Sequence, residues 1–346
     1  MRGSILHSAI RALVVTFSVV IGLCLGFAFI SFLLGAFGDT STDSKLTTVN
    51  TEEILPNADG KRIALNQEAP VILQINIEGI IGLDGLDEAS IRQQLVESRE
   101  GTFKNNRVKA LLLYIDTPGG TVSDADGIFR ALGEYKRKYQ VPIYAYVDGL
   151  CASGGMYVAL AADKIFASDT SLIGSVGVLA PSFMNVSKLL DKIGVETMTL
   201  SAGKGKDAMN PLRPWKPGEE DNYRQIVDYY YHHFVDLVTT YRPAISKEEL
   251  VNTYGAQVFP APLALDKGFI DMSGVSLADA LHALLKAADI TGDHYQVIQL
   301  ENKSWWKSLF SAESNALLTG RIEHHLSLAP EWDLLFRNQY LYLYCP

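Results

Sequence analysis

The stretch "VKALLLYIDTPGG", residues 108–120, joins a nearly continuous apolar run to a turn of one proline and two glycines. A strand that is buried on both faces of a parallel sheet has this continuous apolar character. Pro118 stiffens the turn that follows, and Gly119 and Gly120 leave backbone N–H groups accessible there. The stretch therefore predicts a central strand of an α/β sheet that ends in a ligand-binding turn.

Neighbouring segments extend this pattern to a whole domain. Short runs rich in β-branched and aromatic residues alternate with segments whose apolar residues recur at helical spacing. Such alternation predicts βα units and a largely parallel sheet. The predicted strands cover residues 71–81, 108–116, 141–149 and 164–169, the run 195–200 is strand-like, and the predicted helices cover 89–100, 122–138, 217–242 and 275–290.

A second glycine turn, "LCASGG" (150–155), follows another predicted buried strand and contains Ser153. Ligands of α/β sheets bind beyond the carboxyl ends of the strands, so we expect both turns at one edge of the sheet. N–H groups from two adjacent loops can converge on one oxygen and form an oxyanion hole. Ser153 is either part of a tight packing turn or a nucleophile at the head of a helix.

A serine nucleophile needs a base. None of the seven histidines is predicted to lie in a loop of the sheet core, and the G-x-S-x-G elbow is absent, which disfavours a Ser-His-Asp triad. A lysine acts as a base only when it is neutral, so burial must lower its pKa from about 10.4. Lys204 and Lys206 lie in the glycine-rich loop "SAGKGKDAMNP" (201–211), and spacing alone does not choose between them.

Four motifs in order carry a resemblance to a known family. The chain resembles signal peptide peptidases of the SppA type, which include the SohB-like proteases, over roughly residues 71–275. The resemblance implies a Clp protease/crotonase-like fold, a βαβ spiral with two near-perpendicular sheets. It also implies a serine protease with a Ser-Lys dyad and with no cofactor and no metal. The motifs are "YIDTPGG", "GLCASGGMYVALAADKIFASDTSLIGSVGV", "SAGKGKDAMNPLRP" and "VFPAPLALDKGFID".

Each predicted site residue follows from this resemblance. Ser153 matches the nucleophile. Lys206, which directly precedes an aspartate, matches the general base, and Lys204 is the neighbouring candidate. Ser175, in "IGSVGV", matches a serine that hydrogen-bonds the base.

The resemblance also assigns the oxyanion turns and the assembly. Gly119, Gly120 and Gly154 match the oxyanion turns. In the family, the serine and the lysine can come from neighbouring subunits, so the resemblance implies a homo-oligomer, such as an octamer, with shared active sites. Two departures stand out: Met156 lies where an aromatic residue is common, and "YGAQVFPAPLAL" (254–265) replaces a more usual glycine-containing turn.

The N-terminal part is not globular in character. Residues 12–37 carry no charged side chain, and roughly 20 apolar residues suffice for a transmembrane helix. A cleaved signal peptide has a shorter apolar core of about 7–15 residues, so we expect a retained anchor. Arg2 and Arg11 precede the span, which predicts a cytoplasmic N-terminus and a catalytic domain on the extracytoplasmic (periplasmic) side.

The predicted organisation has five parts, and composition restricts the partners. The net charge is −9 with no basic stripe, which argues against nucleic acid as a partner. The three cysteines are scattered and form neither a disulfide framework nor a zinc site. The parts are a cytoplasmic N-terminus (1–11), a transmembrane helix (12–37), a tether (38–70), a protease domain (71–275) and a C-terminal helical and aromatic extension (276–346).

The sequence thus favours a membrane-anchored serine endopeptidase. Its expected substrates are peptides, including cleaved signal peptides and unfolded or membrane-derived peptides, bound as extended strands. One alternative is a catalytically inactive membrane-bound scaffold with the same fold. Another is a crotonase-like acyl-CoA enzyme, which would leave Ser153, Ser175 and Lys206 without a joint purpose.

Overall fold

The computed structural model describes residues 51–66, 68–301 and 341–343, all within one compact unit, Thr48–Pro346. The predicted cytoplasmic N-terminus (1–11) and transmembrane helix (12–37) lie outside these residues, as does most of the chain beyond 301. Among the described residues, no helix is both long enough and apolar enough to cross a membrane.

Eleven strands are present in the described residues, nine of them in one mixed sheet. They are β1 (Thr51–Leu55), β2 (Val71–Glu78), β3 (Val108–Thr117), β4 (Gly119–Thr121), β5 (Ile143–Ala152), β6 (Lys164–Ala167), β7 (Leu172–Gly174), β8 (Val258–Pro260), β9 (Met272–Ser273), β10 (Gln296–Glu301) and β11 (Leu341–Leu343).

Helices connect and cover these strands. The helices of the described residues are α1 (Glu88–Glu97), α2 (Val122–Tyr139), α3 (Gly154–Ala159), α4 (Ser187–Ile193), α5 (Asp221–Tyr241), α6 (Lys247–Glu249), α7 (Ala261–Asp266) and α8 (Leu277–Ala287), with a 3-10 turn at Gly101–Phe103 and a π turn at Leu250–Tyr254.

The large sheet has the strand order β1-β10-β2-β3-β5-β6-β9. The strands β10, β2, β3, β5, β6 and β9 run parallel, whereas β1 pairs antiparallel with β10. Beyond Val147, the end of β5 pairs with β7 instead of β6, and β7 pairs antiparallel with β8. The remaining strands, β4 and β11, form a separate two-stranded sheet. The predicted mixed α/β fold is confirmed.

β3 is buried on both faces, as its continuous apolar run predicts. Leu111 and Leu113 belong to a core that includes residues of α1, α2, α3 and α5. Ala110 and Leu112 face the opposite side, where they join residues of α8. Burying apolar area on both faces fixes the register of β3, because a slip by one residue would exchange the two faces.

The predicted strands and helices of the sheet core are present within a few residues of their predicted bounds. The strand-like interpretation of residues 195–200 is wrong, because this stretch has no regular secondary structure. No strand in the described residues pairs with it, and Met198 and Leu200 are 86% and 90% exposed. Without a neighbouring strand, an apolar run cannot form the backbone hydrogen bonds of a β-sheet.

Two segments outside the predicted protease domain complete the sheet. Residues 51–55, predicted as part of the tether, form β1 and pair with β10. β10 in turn pairs in parallel with β2, and α8 packs on the face of the sheet that carries Ala110 and Leu112. The described part of the predicted C-terminal extension is therefore integral to the sheet, since it covers both an edge strand and an apolar face.

Asp271, just before β9, ties the far edge of the sheet to α5. Its carboxylate accepts hydrogen bonds from the N–H of Ile165 at 2.8 Å, Lys164 Nζ at 3.0 Å and an Arg242 guanidinium nitrogen at 2.8 Å. Burial alone would raise the pKa of Asp271, but the Ile165 N–H and the two cations outweigh burial, so the pKa lies below its ordinary value.

We expect Asp271→Asn to lower the free energy of unfolding at neutral pH by about 2 kcal/mol, because it weakens a buried charged acceptor. Since the folded-state pKa is depressed, this stabilisation is fully present above the unfolded pKa of about 4 and is lost as pH falls through the folded pKa. Urea denaturation at neutral and acidic pH should therefore show that the difference in unfolding free energy between wild type and Asp271→Asn shrinks as the pH falls. Asp236→Asn, which breaks an exposed pair with Lys247, is the matched control and should change little. A difference in unfolding free energy that persists at low pH would contradict a stabilising role for the ionised Asp271 carboxylate.

Candidate active site

Ser153 lies at a sharp turn between the end of β5 and the start of α3. Its backbone has φ 54° and ψ −113°, and its side chain is buried. A non-glycine residue in such a region costs roughly 1–3 kcal/mol and persists only where its surroundings hold it. The N–H of Ser153 donates to Gly174 O at 2.9 Å, and its carbonyl accepts from the N–H of Tyr157 at 3.0 Å. Strand, strained serine and helix together form a sharp elbow with the geometry that presents a nucleophile in α/β-hydrolases, although the G-x-S-x-G sequence is absent.

The first glycine turn lies against this elbow. Gly119 has φ 100°, and its N–H donates to Thr117 Oγ1 at 3.0 Å. A Cβ on Gly120 would lie 1.9 Å from the carbonyl oxygen of Ile81, so only glycine fits there. A Cβ on Gly155 would lie 2.5 Å from Thr117 Cγ2. The two glycine turns are therefore neighbours, as their positions after adjacent strands predict.

Asp116 fixes the spacing of these turns, a role that the sequence reasoning missed. Its Oδ1 accepts the N–H of Leu150 at 2.9 Å, which joins the end of β3 to the end of β5. Its backbone carbonyl accepts the N–H of Gly79 at 3.0 Å. The available signal was an acidic residue directly before the Thr-Pro-Gly-Gly turn.

Ser175 lies next to the elbow, directly after β7. It has φ 55°, its side chain is 5% exposed, and its N–H donates to Gln257 O at 2.7 Å. The preceding residue, Gly174, pairs with Ala152 and accepts the N–H of Ser153. Ser153 and Ser175 are thus held by one short stretch of paired backbone. The contribution of Gln257 was missed because it is a backbone carbonyl.

Lys206 and Lys204 are exposed in the loop before α5. Both line a cleft of about 1020 Å³ between this loop and the start of α5, and neither Ser153 nor Ser175 lines that cleft. Asp207, next to Lys206, pairs with Arg213 at 2.6 Å. Within one chain, the cleft that the predicted base lines therefore does not include the predicted nucleophile.

His233 and Cys151 both lie near the elbow of Ser153. The Tyr157 hydroxyl donates to Asp126 Oδ1 at 2.9 Å and lies 3.0 Å from His233 Nε2. His233 therefore contacts α3 through the side chain of Tyr157. Burial raises the pKa of the Cys151 thiol to about 12, which makes it unreactive at neutral pH. In the part of the chain that the structure describes, no cluster of His, Cys, Asp or Glu could hold a metal ion.

We expect Gly174→Ala to destabilise the fold more than Gly194→Ala. Both glycines have positive φ, where a side chain costs about 1–2 kcal/mol. A Cβ on Gly174 would also lie 2.5 Å from Gln257 O, whereas nothing lies within 4 Å of a Cβ on Gly194. Denaturant unfolding measures both variants. Equal losses of unfolding free energy in the two variants would mean that the backbone around Gly174 shifts to accommodate the added methyl group.

A comparison with protein families matches residues 135–291 to peptidase family S49. This range includes the elbow, Ser175 and the loop of Lys204 and Lys206. A protein of Enterococcus faecium that carries the name of signal peptide peptidase SppA is 29% identical over 285 residues, covering 79% of this chain and 80% of that protein. Protease 4 of Haemophilus influenzae is 27% identical over 247 residues, 70% of this chain but 38% of that protein.

Among solved structures, a ClpP1 variant from Listeria monocytogenes aligns with 60% of this chain and 94% of its own, at a TM-score of 0.40 and 14% identity. The family match and the named relatives agree with the elbow that the chain's own backbone forms. Residues 135–291 thus match peptidase family S49, and the chain is a serine peptidase similar to proteins named SppA and protease 4.

Proposed function

We propose that this protein is a membrane-anchored endopeptidase that cleaves peptides with a Ser-Lys dyad. The observation that carries the proposal is Ser153, a buried serine held at positive φ at the head of a helix, beside two glycine turns. A packing turn would not require a serine in a strained conformation. An acyl-CoA enzyme would have no use for this elbow, so that alternative explains less.

In the proposed reaction, Ser153 Oγ attacks the scissile carbonyl carbon while the neutral amine of Lys206 takes the hydroxyl proton. The lysine then passes that proton to the leaving amine, which departs and leaves an ester on Ser153. A water molecule, deprotonated by the same lysine, hydrolyses the ester and regenerates the serine. The N–H groups of Gly120 and Gly154 stabilise the oxyanion in both steps, and Ser175 orients the amine.

We infer that the lysine comes from a neighbouring subunit of a homo-oligomer. The support is that Lys206 is exposed in one chain and lines a cleft that lacks Ser153. Exposed apolar side chains precede it: Leu189, Ile193, Met198 and Leu200 are 58%, 64%, 86% and 90% exposed. Several large apolar side chains exposed within one short segment are typical of a protein interface. A ring such as an octamer, built from Clp-like spiral domains, would cover it and bring Lys206 to the next Ser153.

We expect Ser153→Ala and Lys206→Ala to abolish hydrolysis of a fluorogenic peptide, each by a factor of about 10³ or more. If the dyad is shared between subunits, mixing and reassembling the two inactive variants should restore about a quarter of the wild-type rate, because one interface in four then has both residues in a randomly mixed ring.

Lys204→Ala is the matched control, since Lys204 lies in the same loop and lines the same cleft. It should keep most of the activity. Full activity in both Ser153→Ala and Lys206→Ala would exclude the dyad. Loss of activity without restoration on mixing would place both residues of the dyad in one chain.

We propose peptides with apolar or small side chains as substrates, including remnants of cleaved signal peptides and unfolded peptides. An extended peptide can add a strand at a free sheet edge, where main-chain hydrogen bonds give affinity and side-chain pockets give specificity. The name of the Enterococcus faecium relative supports signal peptides as a substrate class.

We propose that residues 12–37 anchor the chain in the membrane and that the catalytic domain lies outside the cytoplasm. The support is the uncharged apolar run itself, with Arg2 and Arg11 before it. Such an anchor would keep the protease beside the peptides that signal cleavage leaves in the membrane.

Cysteine labelling tests this orientation. In a full chain with Cys24 and Cys345 replaced by serine, we expect Val96→Cys to react with a membrane-impermeant maleimide in intact spheroplasts, since Val96 is 57% exposed and lies outside the proposed interface. Ser4→Cys is the control and should react only after the membrane is permeabilised. The reverse labelling pattern would contradict the proposed orientation.

A further inference from the structure

Lys206 lies in a loop whose backbone has little regular structure. Residues 195–219 contain no strand and no helix, and they contribute no side chain to the two apolar cores of the described residues. On its N-terminal side, Lys206 follows Gly203 and Gly205, which both have positive φ and give this part of the loop the conformational freedom of glycine. The position of the lysine therefore depends on what holds the residues that follow it.

Arg213 holds those residues. Its Nε donates to Asp207 Oδ2 at 2.6 Å, and its Nη2 donates to the backbone carbonyl of Asp207. Its Nη1 lies 2.8 Å from Glu219 Oε1, and Glu219 Oε2 in turn accepts the N–H of Met209 at 3.1 Å. The guanidinium thus ties the residue directly after Lys206 to the segment that leads into α5.

The charges of Arg213, Asp207 and Glu219 suit this role. Hydrogen bonds from Arg213 hold the pKa of Asp207 and that of Glu219 below their ordinary values, so both carboxylates are ionised at neutral pH. An isolated exposed ion pair stabilises little, but these three side chains are only 26%, 23% and 13% exposed and form a network. An arginine presents several N–H donors in one rigid fork, whereas a lysine has a single nitrogen.

We propose that Arg213 is a positioning residue: by fixing the backbone of Asp207, it sets where the amine of Lys206 lies relative to the serine that it serves. The inference rests on the proposed function, because it names the residue that places the base of that same site. A displacement of a catalytic group by about 1 Å can cost a hundredfold in rate. The cleft that Arg213 lines does not include Ser153, so loss of Arg213 should leave the elbow and its glycine turns intact.

Steady-state hydrolysis of a fluorogenic peptide by the full chain tests the first consequence. Arg213→Gln should lower kcat by about tenfold or more and change KM by less than about twofold, because the base is misplaced while the elbow is intact. Arg213→Lys should recover only part of the rate, since one ammonium cannot bind both carboxylates and the Asp207 carbonyl. Arg224→Gln replaces an exposed arginine on the first turn of α5, so it is the matched control and should behave like wild type. An unchanged kcat in Arg213→Gln would overturn the proposal.

Mixed assemblies show which subunit needs Arg213, a result that a general loss of stability would not produce. Reassembly of Arg213→Gln with Ser153→Ala should restore about a quarter of the wild-type rate, because one site in four then joins an intact serine to an intact lysine loop. Reassembly of Arg213→Gln with Lys206→Ala should not raise the rate, because neither variant supplies an intact lysine loop. Where Ser153→Ala and Lys206→Ala restore each other, the opposite pattern, or restoration of Arg213→Gln by neither variant, overturns the proposal.

Hydrogen exchange separates this inference from the proposed function, because it needs no catalysis. In Ser153→Ala protein, Arg213→Gln should speed amide exchange in peptides covering residues 203–212 by about tenfold or more and leave peptides covering 150–160 unchanged. Unchanged exchange in 203–212 overturns the inference even where the enzyme hydrolyses peptides. Full activity of Lys206→Ala removes the dyad instead, and faster exchange in 203–212 would then still show that Arg213 holds this loop. If the dyad lies in one chain and no variants restore each other, the kcat of Arg213→Gln and this exchange decide the inference.

Discussion

The site depends on one backbone constraint, the positive φ of Ser153. A serine in this conformation is costly, and the surrounding structure has to hold it there. The hydrogen bond from its N–H to Gly174 O supplies one restraint, and the start of α3 supplies another. Gly174 is itself paired with Val258 of β8, in a conformation that excludes a side chain, so two successive strand pairings, β5 with β7 and β7 with β8, fix the elbow.

Long-range contacts then assemble the rest of the site around that elbow. Asp116 bridges the ends of β3 and β5, and Thr117 packs on Gly155 at the second glycine of the elbow. Gln257, about a hundred residues further along the chain, receives the N–H of Ser175. A site built from the ends of several strands needs each strand in register, which the two-sided burial of β3 enforces.

Much of this architecture could be predicted from local pattern. The continuous apolar run of β3 and the helical spacing in α2, α5 and α8 correctly predict a parallel α/β core. A strand buried on both faces needs apolar residues at successive positions, and this pattern is visible in the sequence. The glycine turns were located for a similar reason, since only glycine fits where backbones approach closely. The family resemblance, carried by four motifs, identified a serine peptidase that local pattern alone left undecided between a turn and a nucleophile.

What could not be predicted depends on partners distant in sequence. β1 and β10 were assigned outside the domain because their pairing joins residues on opposite sides of the chain's core. Residues 195–200 have strand-like composition but no neighbouring strand, so composition misled there. The roles of Asp116 and of the Gln257 carbonyl left no pattern, since one hydrogen-bonds across two strands and the other acts through its backbone.

The central claim is that the elbow makes Ser153 a reactive nucleophile. Treating the full-length protein with a fluorophosphonate probe, followed by peptide mass spectrometry, tests this claim most directly. The account predicts a single phosphonyl adduct on Ser153, and no such adduct on Ser175 or on the chemically denatured protein. An adduct on another residue, or an unmodified Ser153 in protein that hydrolyses peptides, would contradict it.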